Sequence, residues 1–201
     1  MDSPWTEIVV ALSGIAGVLI GGWITSRNQQ KERRDRRILE QLDQFYGPLL
    51  GMRAQILAKS EVRLKVSGAT DEAWRNLIGR LDKAQSDQKI EYIKQIEKER
   101  FPDFEKVIDE NNRQFVEEIH PMYRKMVKHF ADNMSLAESA TRRYFGALVE
   151  FVEIWDRWLD KTIPKEAIKL LGHSEDKLKP FYQDLADHME SLSSKLKKND
   201  L

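Results

Sequence analysis

Residues 104–130, FEKVIDENNRQFVEEIHPMYRKMVKHF, decide the fold class. Phe104, Ile108, Asn111, Phe115, Ile119, Met122, Met126 and Phe130 recur every three or four positions. That spacing lines one face of an α-helix, whereas a half-buried strand would alternate at every second residue. The pattern predicts a single long helix from Pro102 to about Ala131. Pro121 removes a ladder donor inside it and predicts a kink.

Toward the C-terminus the same period continues. Ser135 with Glu138 three positions later reads as a capping box opening the next helix. Its face is Leu136, Tyr144, Leu148, Phe151, Trp155 and Trp158, and Ile163-Pro164 ends it. A short helix from Pro164 to Leu171 stops at Gly172, a residue suited to a left-handed C-terminal cap. The last helix carries Leu178, Phe181, Leu185, Met189, Leu192 and Leu196, and frays over Lys197–Asp200. The aromatic and methionine stripes read as core, with a partner groove around Trp155 and Trp158 as the alternative.

Toward the N-terminus the period is more broken. Gly47-Pro48 predicts a hinge, because proline disfavours helical geometry in the residue before it. Leu49, Met52, Ile56 and Leu57 then form a stripe to about Val66, and Ser67-Gly68-Ala69-Thr70 reads as its stop. Asp71 reads as the N-cap of a third helix with Trp74, Leu77, Ile78 and Leu81 on one face. Ile90, Ile93 and Ile96 are out of phase with that face, which predicts an irregularity near Ser86-Asp87. Phe101-Pro102 reads as a boundary. No segment alternates like a strand. The chain is therefore read as all-α, with an antiparallel bundle of about six helices over residues 47–201.

Ahead of that bundle, Ile8–Ile24 (IVVALSGIAGVLIGGWI) holds no charged residue. At about 1.5 Å per residue it covers roughly 26 Å, close to the ~30 Å hydrocarbon core of a bilayer. Trp5 and Trp23 near its ends fit the headgroup level. Nothing basic precedes it, and Arg27, Lys31, Arg33, Arg34, Arg36 and Arg37 follow at once. A cleaved leader would want basic residues in front and a small-x-small cleavage site behind, and neither stands there. The expectation is a single anchor in a bacterial inner membrane, N-terminus outside, with the C-terminal domain cytoplasmic. Residues 1–26 would be tip and anchor, 27–46 a basic helical stalk touching lipid headgroups, and 47–201 the helical domain. Ser13, Gly17 and Gly21 fall on one helical row with Gly14 beside it, a face that lets two membrane helices approach and predicts self-association.

Composition narrows the chemistry. Charged residues make up 33% of the chain and the formal net charge is zero, so no general attraction to nucleic acid is expected. Cysteine is absent, which removes disulfides, thiolate nucleophiles and cysteine-ligated zinc. Glu117-x-x-His120 has the spacing of one half of a di-iron helix pair, but His129, His173 and His188 have no glutamate three positions before them. No metal or cofactor is expected. No phosphate loop, nucleophile elbow or dinucleotide fingerprint occurs. A groove for a cyclic nucleotide needs no short motif, so sequence is silent on it.

Two resemblances attach to particular residues. The layout of span, basic stalk and then Phe45-Tyr46-Gly47-Pro48-Leu49 resembles uncharacterised bacterial single-pass membrane proteins in which a Tyr-Gly-Pro-Leu turn follows the stalk. It covers roughly residues 1–57 and implies no activity. Arg124-x4-His129 and Arg113-x6-His120 fit the spacing of HEPN ribonucleases, all-α enzymes whose Arg and His work on a phosphodiester. The polar residue that usually follows that Arg is replaced by Lys125 or Gln114, and with four His in the chain chance supplies roughly one such match. Arg124 and His129 are the catalytic candidates on this reading. In layout alone the chain is also similar to small membrane effectors of antiviral systems. The leading expectation is a non-enzymatic membrane protein whose helical domain recruits, scaffolds or senses a cytosolic protein or ligand.

Overall fold

The computed structural model describes residues 27–79 and 86–197. The stretch Ile8–Ile24, with its small-residue face at Ser13, Gly14, Gly17 and Gly21, lies outside the described residues, as does Leu81. Among the described residues there is no strand, and no helix is long and apolar enough to cross a membrane. The protein is all-α.

Two long rods dominate. The first consists of α1 (27–41), a π-helical turn at Leu42–Tyr46 and α2 (Gly47–Gly79). The second consists of α3 (Ser86–Gln114), a π-helical turn at Phe115–Ile119 and α4 (His120–Asp132). They run antiparallel, as cross-rod pairs show. Phe45 meets Phe130 at 5.1 Å between ring centroids, Lys59 pairs with Glu118, Asn111 donates to Ser67 at 2.9 Å, and Trp74 meets Phe104 at 5.0 Å. Each step up one rod is matched by a step down the other.

After α4 come α5 (Ser139–Arg142), α6 (Phe145–Leu159), α7 (Lys165–Leu170) and α8 (Lys179–Lys197). α6 packs on α4, and α8 packs on α2 and the first π turn. The core lies where all of them meet. Phe45, Leu49, Ile56, Met126, Phe130, Leu148, Phe181 and Leu185 are completely shielded from solvent. Beyond Ile56 the rods leave the bundle and continue as a two-helix arm. Val62, Leu64, Val66 and Ile108 are exposed there, because apolar residues are scattered around α2 rather than gathered on one face.

The prolines expected to interrupt the rods do not end them. Gly47 N–H donates to Leu42 C=O and His120 N–H to Phe115 C=O, each five residues back. In both places the next residue is proline. A proline inside an α-helix lacks a donor, and its ring strikes the carbonyl four residues back. The π turn adds a residue and moves that carbonyl aside. Pro48 and Pro121 therefore sit within continuous helical rods, and the hinge expected at Gly47 and Pro48 is a widened turn.

Other expected stops fail as well. Ser67-Gly68-Ala69-Thr70 lies inside α2, where Thr70 Oγ1 donates to Val66 C=O at 2.7 Å and Ser67 is held by Asn111. Asp71 is an exposed helix-interior residue, not an N-cap. Pro102 lies inside α3, on the solvent side, where water can solvate the carbonyl it leaves unbonded. The capping box at Ser135 does not form. Met134–Leu136 is a 3₁₀ turn, Ala137 is extended, and Glu138 accepts from Gln41 Nε2 at 3.1 Å. The stop at Gly172 stands as expected, whereas α6 ends at Leu159, ahead of Ile163-Pro164, where the chain turns with Lys161 at φ of +56°.

The Tyr46-Gly47-Pro48-Leu49 motif has a structural account. Glu138 N–H donates to the Tyr46 hydroxyl at 3.1 Å, and Thr141 donates to Asp184 at 2.6 Å. Thr141 has a single proton and gives it to a carboxylate. The Tyr46 hydroxyl, 3.1 Å from Thr141 Oγ1, must therefore be the donor in that pair. The result is a one-way chain from Glu138 through Tyr46 and Thr141 to Asp184, tying the π turn to α5 and α8. Bonds in such a chain polarise one another. Burial pushes the Tyr46 hydroxyl above its ordinary value, so it keeps its proton. Leu49 then enters the core.

Candidate functional site

The most distinctive surface feature is a groove where the arm leaves the bundle. It is lined by α2, the second π turn, α6 and the segment after α7. A cavity of about 280 Å³ there is walled by Arg63, Phe115, Tyr123, Phe151, Trp155 and His173, with Ser60 and Ser174 at its margin. An adjoining cavity of about 370 Å³ shares Arg63, Phe115 and Trp155 and extends to Trp158.

Its walls are mostly rings. Phe115 and Trp155 stand 4.5 Å apart, Trp155 and Trp158 5.2 Å apart, and His173 stacks on Phe151 at 4.7 Å. α6 supplies Phe151, Trp155 and Trp158, spaced along one side of the helix. His173 is placed by the end of α7. Gly172 takes φ of +56°, its N–H donates to Lys169 C=O at 3.2 Å, and His173 N–H donates to Ile168 C=O at 3.4 Å. This is a Schellman cap, and it turns the chain so that the imidazole meets Phe151 and Trp155.

Arg63 is the cation of the groove. Its guanidinium lies 5.5 Å from the Phe115 ring centroid. Its Nε is buried without a hydrogen-bond partner, and among the described residues no carboxylate pairs with it. Burial pushes its pKa down, yet an arginine keeps its charge at neutral pH. His173 Nε2 is also buried without a partner. Burial first, and then the charge of Lys177, holds this imidazole below its ordinary value, which favours the neutral form at pH 7.

The floor is already balanced. Glu175 pairs with Arg53 and accepts the Tyr123 hydroxyl proton at 2.5 Å. Arg53 in turn lies 4.0 Å from the Tyr182 ring centroid. Burial pushes both tyrosines above their ordinary values.

The residues singled out by sequence lie elsewhere. Arg124 donates to Asp156 Oδ1 at 2.8 Å through Nε, and no contact joins it to His129. Five residues along a helix place the two about 140° apart around the axis. Arg113 bonds Glu110 and Glu117 on the surface, while His120 is buried against Asp156 at 2.5 Å. The Glu117-x-x-His120 pair is thus divided between a surface ion pair and the interior. Among the described residues no three His, Asp or Glu side chains gather as a metal site. Arg27, Lys31, Arg33, Arg34, Arg36 and Arg37 are all exposed on α1. Sequence offers no signal for Arg63, and it reads Trp155 and Trp158 as core with a partner groove as the alternative. Nothing local marks an arginine that lacks a counter-charge.

No family model matches the chain, and no curated protein or solved structure is similar to it. The residues themselves carry the functional argument.

Proposed function

We propose that the protein is a non-enzymatic recognition module tethered to a bacterial inner membrane, with its helical domain in the cytoplasm. The observation that carries this reading is one continuous rod. The exposed basic residues of α1 directly follow the charge-free stretch Ile8–Ile24, and the same rod places Ile38, Leu42, Phe45 and Leu49 in the core. Basic residues beside a bilayer gain roughly 1 kcal/mol each from anionic lipid. From residue 27 onward the rod runs into the core without a break, so binding at the bundle bears on that end. The small-residue face at Ser13, Gly14, Gly17 and Gly21 supports self-association there.

The test is membrane fractionation of the full chain in bacterial cells, with reporters fused to the C-terminus. Recovery in carbonate-washed membranes with a fluorescent cytoplasmic reporter is expected. Release into the soluble fraction, or an active periplasmic phosphatase fusion, would overturn the tether. Cross-linking in the same membranes should yield a dimer or higher species that Gly17→Leu and Gly21→Leu reduce.

A further inference from the structure

We propose that the Arg63 groove binds a nucleotide, with the phosphate on Arg63 and the base against the ring wall of Phe115 and Trp155. This rests on reading the bundle as a recognition module and is independent of the tether.

Three features converge on that ligand. The first is charge. Arg63 is partly desolvated and has no carboxylate partner among the described residues. The planar guanidinium fork matches a phosphate with paired hydrogen bonds. Glu175, the acid in the wall, is neutralised by Arg53 and does not compete for Arg63.

The second is shape. Cavities of about 280 Å³ and 370 Å³ meet at Arg63, at the small end of the ~300–1,000 Å³ range of ligand pockets. Phe115 and Trp155 line both cavities, and stacking on aromatic rings is a sequence-tolerant way to hold a base. Among the described residues Arg63 is the one arginine or lysine lining these two cavities, Lys106 and Glu110 lining a third that it also borders, and the Ser174 segment bounds one side, which suits a mononucleotide better than a polynucleotide strand.

The third is the unused polar edge. His173 Nε2 has no partner, and neutral imidazole offers one donor or one acceptor to a base edge. The Ser60 and Ser174 hydroxyls stand at the same margin. An arginine Nε and a histidine Nε2 without protein partners thus stand beside the rings, where a ligand can satisfy them.

The experiment is calorimetric titration of the full chain in detergent micelles. The probes are the four ribonucleoside 5′-monophosphates, with adenosine and inorganic phosphate as comparisons. At least one monophosphate should bind saturably, with adenosine and phosphate each weaker by about tenfold or more. Arg63→Met should weaken it roughly ten- to hundredfold, as expected for loss of a charged hydrogen-bond donor. Trp155→Ala should weaken monophosphate and adenosine together. Should Arg63→Met fail to fold, Arg63→Lys keeps the charge and loses the fork, and should weaken the monophosphate but not adenosine. Absence of saturable binding up to about 1 mM for all four, a limit for weak ligands, overturns the proposal. So does unchanged affinity in a folded Arg63 variant. Phosphate binding as tightly as the monophosphates would remove the base from the site and overturn it too. The tether is read out by fractionation and nucleotide binding by calorimetry, so either can fail without the other.

Discussion

Gly47 and Leu42 are in direct backbone contact: the Gly47 N–H donates to the Leu42 carbonyl, and a Cβ added at Gly47 would lie 2.7 Å from that same oxygen. Glycine is therefore needed here for space, at an ordinary helical φ of −59°. Widening the turn to admit Pro48 brings the carbonyl five residues back close to position 47. The corresponding turn before Pro121 carries His120, so this close approach belongs to the Leu42–Tyr46 turn itself.

This gives a prediction whose sign distinguishes it from helix propensity. Gly→Ala inside a helix ordinarily stabilises by up to about 1 kcal/mol. Gly51→Ala, with nothing within 4 Å of the added Cβ, should follow that rule. Gly47→Ala should instead destabilise by about 1–3 kcal/mol, the range for overpacking, because the crowding atom is backbone and cannot swing away. Urea unfolding of both variants decides it. Equal gains at both positions would show that the π turn does not crowd Gly47.

Tyr46→Phe tests the buried chain of hydrogen bonds. The substitution keeps the ring and deletes the oxygen that accepts from Glu138 N–H and donates to Thr141. Leaving that amide unsatisfied should cost about 1–3 kcal/mol. Tyr144→Phe loses only an exposed contact with Arg143 and should stay within about 0.5 kcal/mol. Thermal unfolding of the pair gives the comparison.

Asp156 should set part of the acid limb of stability. Burial pushes its carboxyl up, but hydrogen bonds from Arg124 and His120 outweigh that and hold it below the ordinary carboxylate value. A carboxylate with a lowered folded-state pKa stabilises the fold above its unfolded value, about 3.9. That stability is lost as pH falls through the folded value. Asp156→Asn should be less stable than wild type at pH 7, since His120 and Arg124 lose their carboxylate. The difference should shrink as the pH drops below about 4. Denaturant midpoints of both proteins across that range test it, and a constant difference would show that the charge on Asp156 contributes nothing.

Sequence by itself determined the helical class, the apolar faces of α4, α6 and α8, and the stop at Gly172. Those features depend on a 3.6-residue period or on a single residue's backbone geometry, and both act within a few positions along the chain. The tertiary structure decided continuity. Ser67 stays helical with Asn111 of the opposite rod holding its side chain, and Glu138 does not cap because Ala137 and Glu138 are extended, with Gln41, far away in sequence, donating to the Glu138 carboxylate. Pro48 and Pro121 remain inside their rods because each π turn makes room, and Phe45 and Tyr46, like Ile119, are buried in the bundle core. The groove belongs wholly to this second class. Arg63, Phe115, Trp155 and His173 come from separate segments, and only the antiparallel register of the rods, with the cap at Gly172, brings a cation unpaired among the described residues to a wall of rings.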